Sequence, residues 1–134
     1  MATRVEFLCD TSVLIDYLRG EHTVREIISY DNFSHMSMSS VTLMELLVGA
    51  FNKREVKKIK SVFQKVRIIQ VNEAISAKAV ALIEEYTKSH NLLIPDALIA
   101  ATAIESDLRL YTRNRSDFRF IPQLELIEEN RRAQ

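Results

Sequence analysis

The sequence has few of the residues that break or cross-link a chain. Its 134 residues include one cysteine, two glycines, two prolines and no tryptophan. The lone cysteine, Cys9, excludes an internal disulfide and is typical of proteins in a reducing cytosol. The scarcity of glycine and proline indicates many helices with short connections, and it argues against an all-β sandwich with frequent turns.

Net charge and long hydrophobic runs are also absent. The chain has 18 basic and 18 acidic residues, so no overall field attracts nucleic acid, and any such contact must come from a local patch. No apolar run approaches the ~18 residues that a membrane-spanning helix needs. The amino end has no signal-sequence pattern. We therefore expect a cytoplasmic protein without a membrane segment.

Short apolar runs alternate with amphipathic stretches along the chain. This alternation predicts an α/β fold, specifically a three-layer α/β/α sandwich with a central parallel sheet of about five strands. We expect a single domain over residues 1–134, with 128–134 as a frayed polar tail. Strands are expected at 4–9, 34–39, 67–71, 108–111 and 124–127, and helices at 22–30, 41–51, 53–65, 73–90 and 95–106. An earlier helix, capped by Thr11 or Ser12, is expected to have its apolar positions at Val13, Leu14, Tyr17 and Leu18.

Helical periodicity predicts which residues two of these helices bury. The helix at 95–106 is apolar nearly all round and is expected to lie deep in the fold. Asp96 shares a stripe with Ile99, Ala100 and Ala103, so its carboxylate is expected to point toward the packed side. The helix at 41–51 is expected to bury an apolar stripe formed by Val41, Met44, Leu47, Val48 and Phe51.

Four acidic residues each lie just past a predicted strand or near the start of the helix that follows one. They are Asp10, Glu45, Asp96 and Asp117. The carboxyl ends of parallel strands form the crevice in which ligands bind. We therefore expect the four carboxylates at one edge of the sheet.

Each of these acids also has a structural explanation of its own. Asp10 could cap a helix, and Asp96 could stabilise a helix dipole. Glu45 could be a solvated edge residue, and Asp117 could initiate a turn. These explanations weaken when the four are taken together, because each element supplies one acid to the same end of the sheet.

Carboxylates gathered in this way repel one another. A like-charge pair ~4 Å apart costs about 4 kcal/mol at an effective dielectric constant of 20, so a cation is expected among them. Oxygen ligands favour Mg²⁺ or Mn²⁺ over zinc, and the three histidines have no useful spacing with one another or with Cys9. Such an ion suits phosphodiester cleavage, because it can deprotonate a water, neutralise the phosphate and stabilise the leaving oxygen.

Four segments of the sequence together resemble the PIN-domain family, with the closest likeness to the VapC toxins of prokaryotic toxin–antitoxin pairs. The resemblance covers nearly the whole chain, and the four segments occur in the family's order. They are DTSVLIDYLRG at 10–20, SVTLMELLVG at 40–49, PDALIAA at 95–101 and TRNRSDF at 112–118.

The resemblance implies a Mg²⁺- or Mn²⁺-dependent endoribonuclease that is usually dimeric. It assigns Asp10, Glu45 and Asp96 as metal ligands and catalytic acids. In the fourth segment many relatives have Asp where this chain has Asn114, so Asp117 would be the fourth acid, acting directly or through water. Thr112 and Asn114 would orient ligands or substrate, while Ser12 would bond to Asp10 or to the phosphate.

The resemblance also implies partners. A VapB-like antitoxin encoded beside the toxin wraps such nucleases and inserts a basic side chain into the acidic pocket, where it relieves the same repulsion as a cation. RNA needs positive charge that the pocket lacks. Arg113 and Arg115, beside the fourth acid, and Arg19, after the first helix, are the predicted RNA contacts. The lysine-rich helix at 53–65 is either a further phosphate contact or a solvated face.

Other functions remain open from the sequence. The chain could be a housekeeping RNA-processing nuclease of the same fold, or a non-catalytic module that binds RNA or a partner. Phosphoryl transfer to Asp10 is a further class, although haloacid-dehalogenase-like proteins usually have a second Asp at the position of Ser12.

Overall fold

A computed structural model describes residues 6–129 of the chain. Positions 4 and 5 of the predicted first strand and positions 130–134 of the predicted tail lie outside the described residues. Four strands form the sheet: β1 (Phe7–Cys9), β2 (Met36–Ser39), β3 (Arg67–Ile69) and β4 (Arg109–Tyr111). All are parallel and lie in the order β3-β2-β1-β4.

Six α-helices connect and cover the strands, and side-chain caps start several of them. Asn52 and Asn72 accept hydrogen bonds from backbone N–H groups three residues later, at 2.9 and 2.8 Å. Asn91 adopts the left-handed conformation that ends the longest helix. The helices are α1 (Thr11–Leu18), α2 (His22–Ile27), α3 (Ser40–Val48), α4 (Lys53–Val62), α5 (Glu73–His90) and α6 (Ile94–Glu105), with 3₁₀ segments at Tyr30–His35 and Arg115–Asp117.

The core is divided into two clusters, one on each face of the sheet. Successive residues of β1 alternate between them, because Phe7 and Cys9 face the cluster under α1 to α4 whereas Leu8 faces the cluster under α5 and α6. The predicted α/β/α layering is therefore confirmed. The deep burial predicted for the alanine-rich helix is also confirmed, since Ala97 and residues 99–103 of α6 are inaccessible to solvent or nearly so.

The fifth strand predicted at 124–127 is reduced to an isolated parallel bridge between Leu110 and Leu126. The Leu110 N–H donates to the Glu125 carbonyl at 2.8 Å, and the Ile127 N–H donates to the Leu110 carbonyl at 2.9 Å. Because only one residue of β4 pairs with this segment, the segment does not form a strand. The segment nevertheless covers the edge of β4 that would otherwise be open.

The prediction that α3 buries its apolar stripe is wrong for much of that stripe. Val48 and Phe51 are 86% and 87% exposed, and Met44 is also exposed. The helix instead turns Thr42 and Leu46 inward, because that side packs against α1 and the sheet. An apolar surface is left uncovered. Within residues 6–129, no helix combines the length and the hydropathy needed to cross a membrane.

Candidate active site

Asp10 follows β1 directly and holds a carboxylate that is almost fully buried. Its Oδ1 accepts a hydrogen bond from the backbone N–H of Thr11 at 2.8 Å. Its Oδ2 accepts from the hydroxyls of Ser12 at 3.0 Å and Thr112 at 2.7 Å. The pKa of Asp10 is raised, chiefly by burial and to a smaller extent by the charge of Glu45, although the three hydrogen bonds lower it. Asp10 thus both caps α1 and faces the site.

Glu45 lies on α3 with an exposed side chain that a hydroxyl holds in place. Thr11 donates a hydrogen bond to its Oε1 at 2.6 Å. The hydroxyl of Thr42, one turn before Glu45, lies 3.1 Å from that of Thr11. Neither Thr11 nor Thr42 is among the site residues predicted from the sequence. The available signal was spacing, because Thr11 adjoins one predicted acid and Thr42 precedes another by three residues.

Asp96 stands in the first turn of α6, directly after Pro95. Its carboxyl is partly buried, and its pKa is raised from 3.8 to about 6. Burial is the largest cause, followed by the charges of Asp10, Asp117 and Glu45. All four predicted acids therefore contribute to one electrostatic environment, centred on Asp96.

Asp117 and Asn114 both lie in the turn after β4 and are exposed. Asp117 ends the 3₁₀ segment, from which its charge acts on Asp96. The backbone N–H of Asn114, rather than its side chain, reaches the site by donating to Thr112 Oγ1 at 3.0 Å. Because this bond occupies an acceptor position of the Thr112 hydroxyl, it directs the hydroxyl hydrogen toward Asp10.

The four carboxylates do not form a ready-made metal-ligand shell. Across the described range, no group of three or more His, Cys, Asp and Glu side chains is spaced to hold an ion. The oxygens of Asp10 face hydroxyls and a backbone N–H, and one oxygen of Glu45 faces Thr11. The donor chemistry fits Mg²⁺ or Mn²⁺, because every candidate ligand is a carboxylate or hydroxyl oxygen.

Arg113 pairs with three carboxylates of the chain itself. It lies 3.3 Å from Asp16, 3.1 Å from Glu21 and 2.9 Å from Glu129. Glu129 also accepts a hydrogen bond from the buried Tyr111 hydroxyl at 2.7 Å. The charge of Arg113 is therefore compensated internally, which argues against its predicted contact with RNA.

Arg115 is held in a similar way by the end of the described chain. It donates to the Ile127 carbonyl at 2.9 Å and pairs with Glu128 at 2.8 Å. Two residues of the predicted frayed tail, Glu128 and Glu129, thus anchor the arginines beside the fourth acid. Arg19 differs from both, because it makes no ion pair with any residue between 6 and 129.

Arg19 lines a groove formed by α1, α3 and α4, with a volume of about 540 Å³. Glu45 also lines the groove, so the groove adjoins the acidic site. Its floor is largely apolar, and its rim carries one further cation, Lys58. The apolar floor is formed by Ile15, Leu18, Leu46, Ala50 and Ile59.

Comparison with known families assigns the chain to a family. The PIN domain model matches residues 7–122, which include all four acids. The chain belongs to the PIN-domain family. It is 35% identical over 121 residues to Ribonuclease VapC10 of Mycobacterium tuberculosis, covering 87% of this chain and 89% of that one. It is 27% identical over 130 residues to Ribonuclease VapC of Rickettsia bellii, covering 90% and 93%.

Solved structures of toxin–antitoxin proteins share the fold. A toxin–antitoxin complex from Klebsiella pneumoniae superposes with a TM-score of 0.77 at 31% identity, covering 93% of this chain and 98% of that chain. A DNA-bound VapBC from Salmonella typhimurium superposes with a TM-score of 0.80 at 22% identity, covering 95% and 100%. The predicted resemblance to VapC proteins is therefore confirmed, and so is the predicted fold.

Proposed function

We propose that this PIN-domain protein is a Mg²⁺- or Mn²⁺-dependent endoribonuclease and the toxin of a VapBC-type toxin–antitoxin pair. The observation that carries the proposal is the joint effect of Asp10, Asp117 and Glu45 on the pKa of Asp96. Three charges that act on a fourth, partly buried carboxyl make a site that favours a divalent cation. The matched relatives named ribonucleases support RNA as the substrate.

In this reaction the carboxylates would bind the ion, and the hydroxyls of Thr11, Ser12 and Thr112 would position the carboxylates. Asp10, Glu45 and Asp96 would hold the ion, and Asp117 would complete the set directly or through water. Ser12 and Thr112 keep Asp10 in one orientation, and Thr11 keeps Glu45 in reach. When bound, the ion would supply an activated water and neutralise the scissile phosphate.

We propose that RNA reaches the acids along the groove and not past Arg113 and Arg115. Arg113 and Arg115 are neutralised by carboxylates of the chain, whereas Arg19 and Lys58 at the groove rim make no such pair within residues 6–129. Because unpaired cations contribute most to phosphate binding, Arg19 and Lys58 are the better candidates for guiding RNA toward Glu45.

The decisive experiment is cleavage of labelled RNA by the purified chain with Mn²⁺, with Mg²⁺ and with a chelator. Cleavage is expected with either metal and not with the chelator. Asp96→Asn should abolish cleavage, whereas Asp107→Asn should leave it intact. Asp107 is a matched control because it is an exposed carboxylate in a left-handed turn that asparagine also adopts. Equal cleavage by both variants would refute the proposal.

We also propose that the antitoxin binds in this groove. Much of its lining is apolar and Glu45 belongs to it, so a partner segment lying in the groove could bring a basic side chain to the acids. The Klebsiella pneumoniae neighbour is itself a toxin–antitoxin complex. Ala50→Trp should fill the groove and weaken binding of a VapB-like antitoxin at least tenfold, whereas Val80→Trp on α5 should not.

The uncovered apolar surface on α3 is proposed to be the homodimer contact. Met44, Val48 and Phe51 recur on one side of α3 and its end, and α3 packs against α6, whose first residues Leu93 and Ile94 are also exposed. Apolar patches of this kind mark association sites. Phe51→Glu should shift the sedimenting species from dimer to monomer, whereas Gln64→Glu, the same added charge on an exposed site, should not.

A further inference from the structure

A second group of side chains, outside the acidic site, forms an ordered aromatic cluster at the end of α5. The His90 ring stacks on Phe120 with centroids 4.2 Å apart and planes inclined by 11°. Tyr86, one turn earlier on α5, meets both rings edge-on, at 5.2 Å from Phe120 and 5.9 Å from His90. Tyr86 and Phe120 are partly buried, whereas His90 is exposed.

The exposed ring of His90 is held in one orientation. Phe120 supports one face, Tyr86 borders its edge, and the Ser89 hydroxyl lies 2.8 Å from Nδ1. Between residues 6 and 129, no other ring contacts His90, so its outer face is open. A fixed, flat and solvent-facing ring can stack a ligand ring with little loss of side-chain entropy.

The cluster follows the acidic site closely along the chain. Phe120 comes three residues after Asp117, so their Cα atoms lie at most about 10 Å apart. His90 ends the helix that leads, through a short connection, into the first turn of α6, where Asp96 lies. Arg119, directly before Phe120 in the chain, is exposed and makes no ion pair with a residue in the described range.

We propose that His90 is a stacking platform for an unpaired base of the RNA substrate, with Phe120 as its support. This inference depends on the proposed function, since it names the form of RNA that the nuclease accepts. A base inside a duplex has no free face, so the platform selects single-stranded or looped RNA. Arg119 would then contact a phosphate next to that base.

The test measures binding of a single-stranded RNA 12-mer that carries 2-aminopurine, in the Asp96→Asn background so that the RNA stays intact. His90→Ala is expected to weaken binding roughly 5- to 150-fold, the range for loss of one base–aromatic stack. His90→Phe should bind within about threefold of the parent, because it keeps the ring. His22→Ala, which removes an exposed histidine that pairs only with Glu26, should have no effect.

An oligomer of the same length without bases shows whether His90 contacts a base or the sugar–phosphate backbone. It should bind the parent and His90→Ala equally, because only a base can stack. A His90→Ala loss that is as large on this abasic oligomer would overturn the platform, and so would unchanged binding of the intact oligomer. In the cleaving chain, His90→Ala should raise KM and leave kcat nearly unchanged. RNA cleavage with an unchanged KM would overturn the platform alone, whereas a chain that neither binds nor cleaves RNA would overturn the proposed function as well.

Discussion

Thr112 donates a 2.7 Å hydrogen bond to Asp10 Oδ2, which joins the end of β4 to the end of β1 across 102 residues of sequence. Asp10 is only 4% exposed, so its carboxylate needs such donors to remain charged. The Asn114 N–H acts on the same hydroxyl from the other side. The site is thus held together before any ligand arrives.

Thr112→Val should therefore destabilise the chain. The substitution keeps the shape of the side chain but removes a donor to a buried carboxylate, at a cost of about 1–3 kcal/mol in the free energy of unfolding. Urea denaturation at pH 7 measures this cost. Thr112→Ser, which keeps the hydroxyl, should recover most of it. Equal stability of the Val variant and the parent would show that the bond is not required.

Asp96→Asn should stabilise the chain when divalent ions are absent. The pKa of Asp96 is about 6 in the folded state and near 3.8 in the unfolded state, so the folded state binds more protons between these values. Stability contributed by the protonated carboxyl is complete below pH 4 and is lost as the pH rises through about 6. Asparagine avoids this loss.

The expected gain for Asp96→Asn at pH 8 is about 1–2 kcal/mol, after allowance for partial screening by solvent. Unfolding curves in chelator from pH 4 to pH 8 should show the difference growing with pH. Asp107→Asn serves as the control and should follow the parent at every pH. An Asp96→Asn variant that is less stable than the parent at pH 8 would mean that its carboxylate is not repelled.

Thr11→Val should impair catalysis more than folding. Thr11 holds Glu45 through the 2.6 Å hydrogen bond, and loss of such an orienting partner typically lowers metal affinity or activity 10- to 100-fold. The Mn²⁺ dependence of RNA cleavage measures the effect. Thr23→Val on α2 is the matched control. Unchanged Mn²⁺ dependence in Thr11→Val would remove Thr11 from the site.

Arg19→Gln and Arg113→Gln should affect different properties, RNA binding in the first case and folding stability in the second. Arg19 is unpaired within residues 6–129, so its loss should weaken RNA binding uniformly and reduce the slope of log Kd against log salt by about one. Arg113→Gln should instead lower stability, because it leaves three carboxylates without their cation, and should leave the slope unchanged. A flatter slope for Arg113→Gln would restore its predicted contact with RNA.

Much of the fold was predictable because local patterns and packing agree. The alternation of apolar runs and amphipathic stretches gave the layering, and the apolar character of α6 gave its depth. The α3 stripe was predicted wrongly because periodicity shows that Met44, Val48 and Phe51 share a side but does not show what covers that side. The strand at 124–127 had the right composition, yet only Leu126 pairs with β4.

The candidate site was likewise predictable only in part. Asp10 and Asp96 could be located because each lies at a predicted junction of elements, and their separate roles as cap and first-turn residue agree with those positions. The bond from Thr11 to Glu45 joins two helices and leaves no local pattern. The compensation of Arg113 by Asp16, Glu21 and Glu129 depends on three distant segments that only the fold brings together.

Under the proposed function, the four carboxylates destabilise the fold when no ion is bound and stabilise it around a divalent ion. The most direct test is the free energy of unfolding of the parent and of Asp96→Asn, each with chelator and with Mn²⁺. The parent should be the less stable protein in chelator and should gain about 2.7 kcal/mol at a Mn²⁺ concentration 100 times its Kd, while Asp96→Asn gains much less. Equal gains for both proteins, or no gain for either, would contradict the claim.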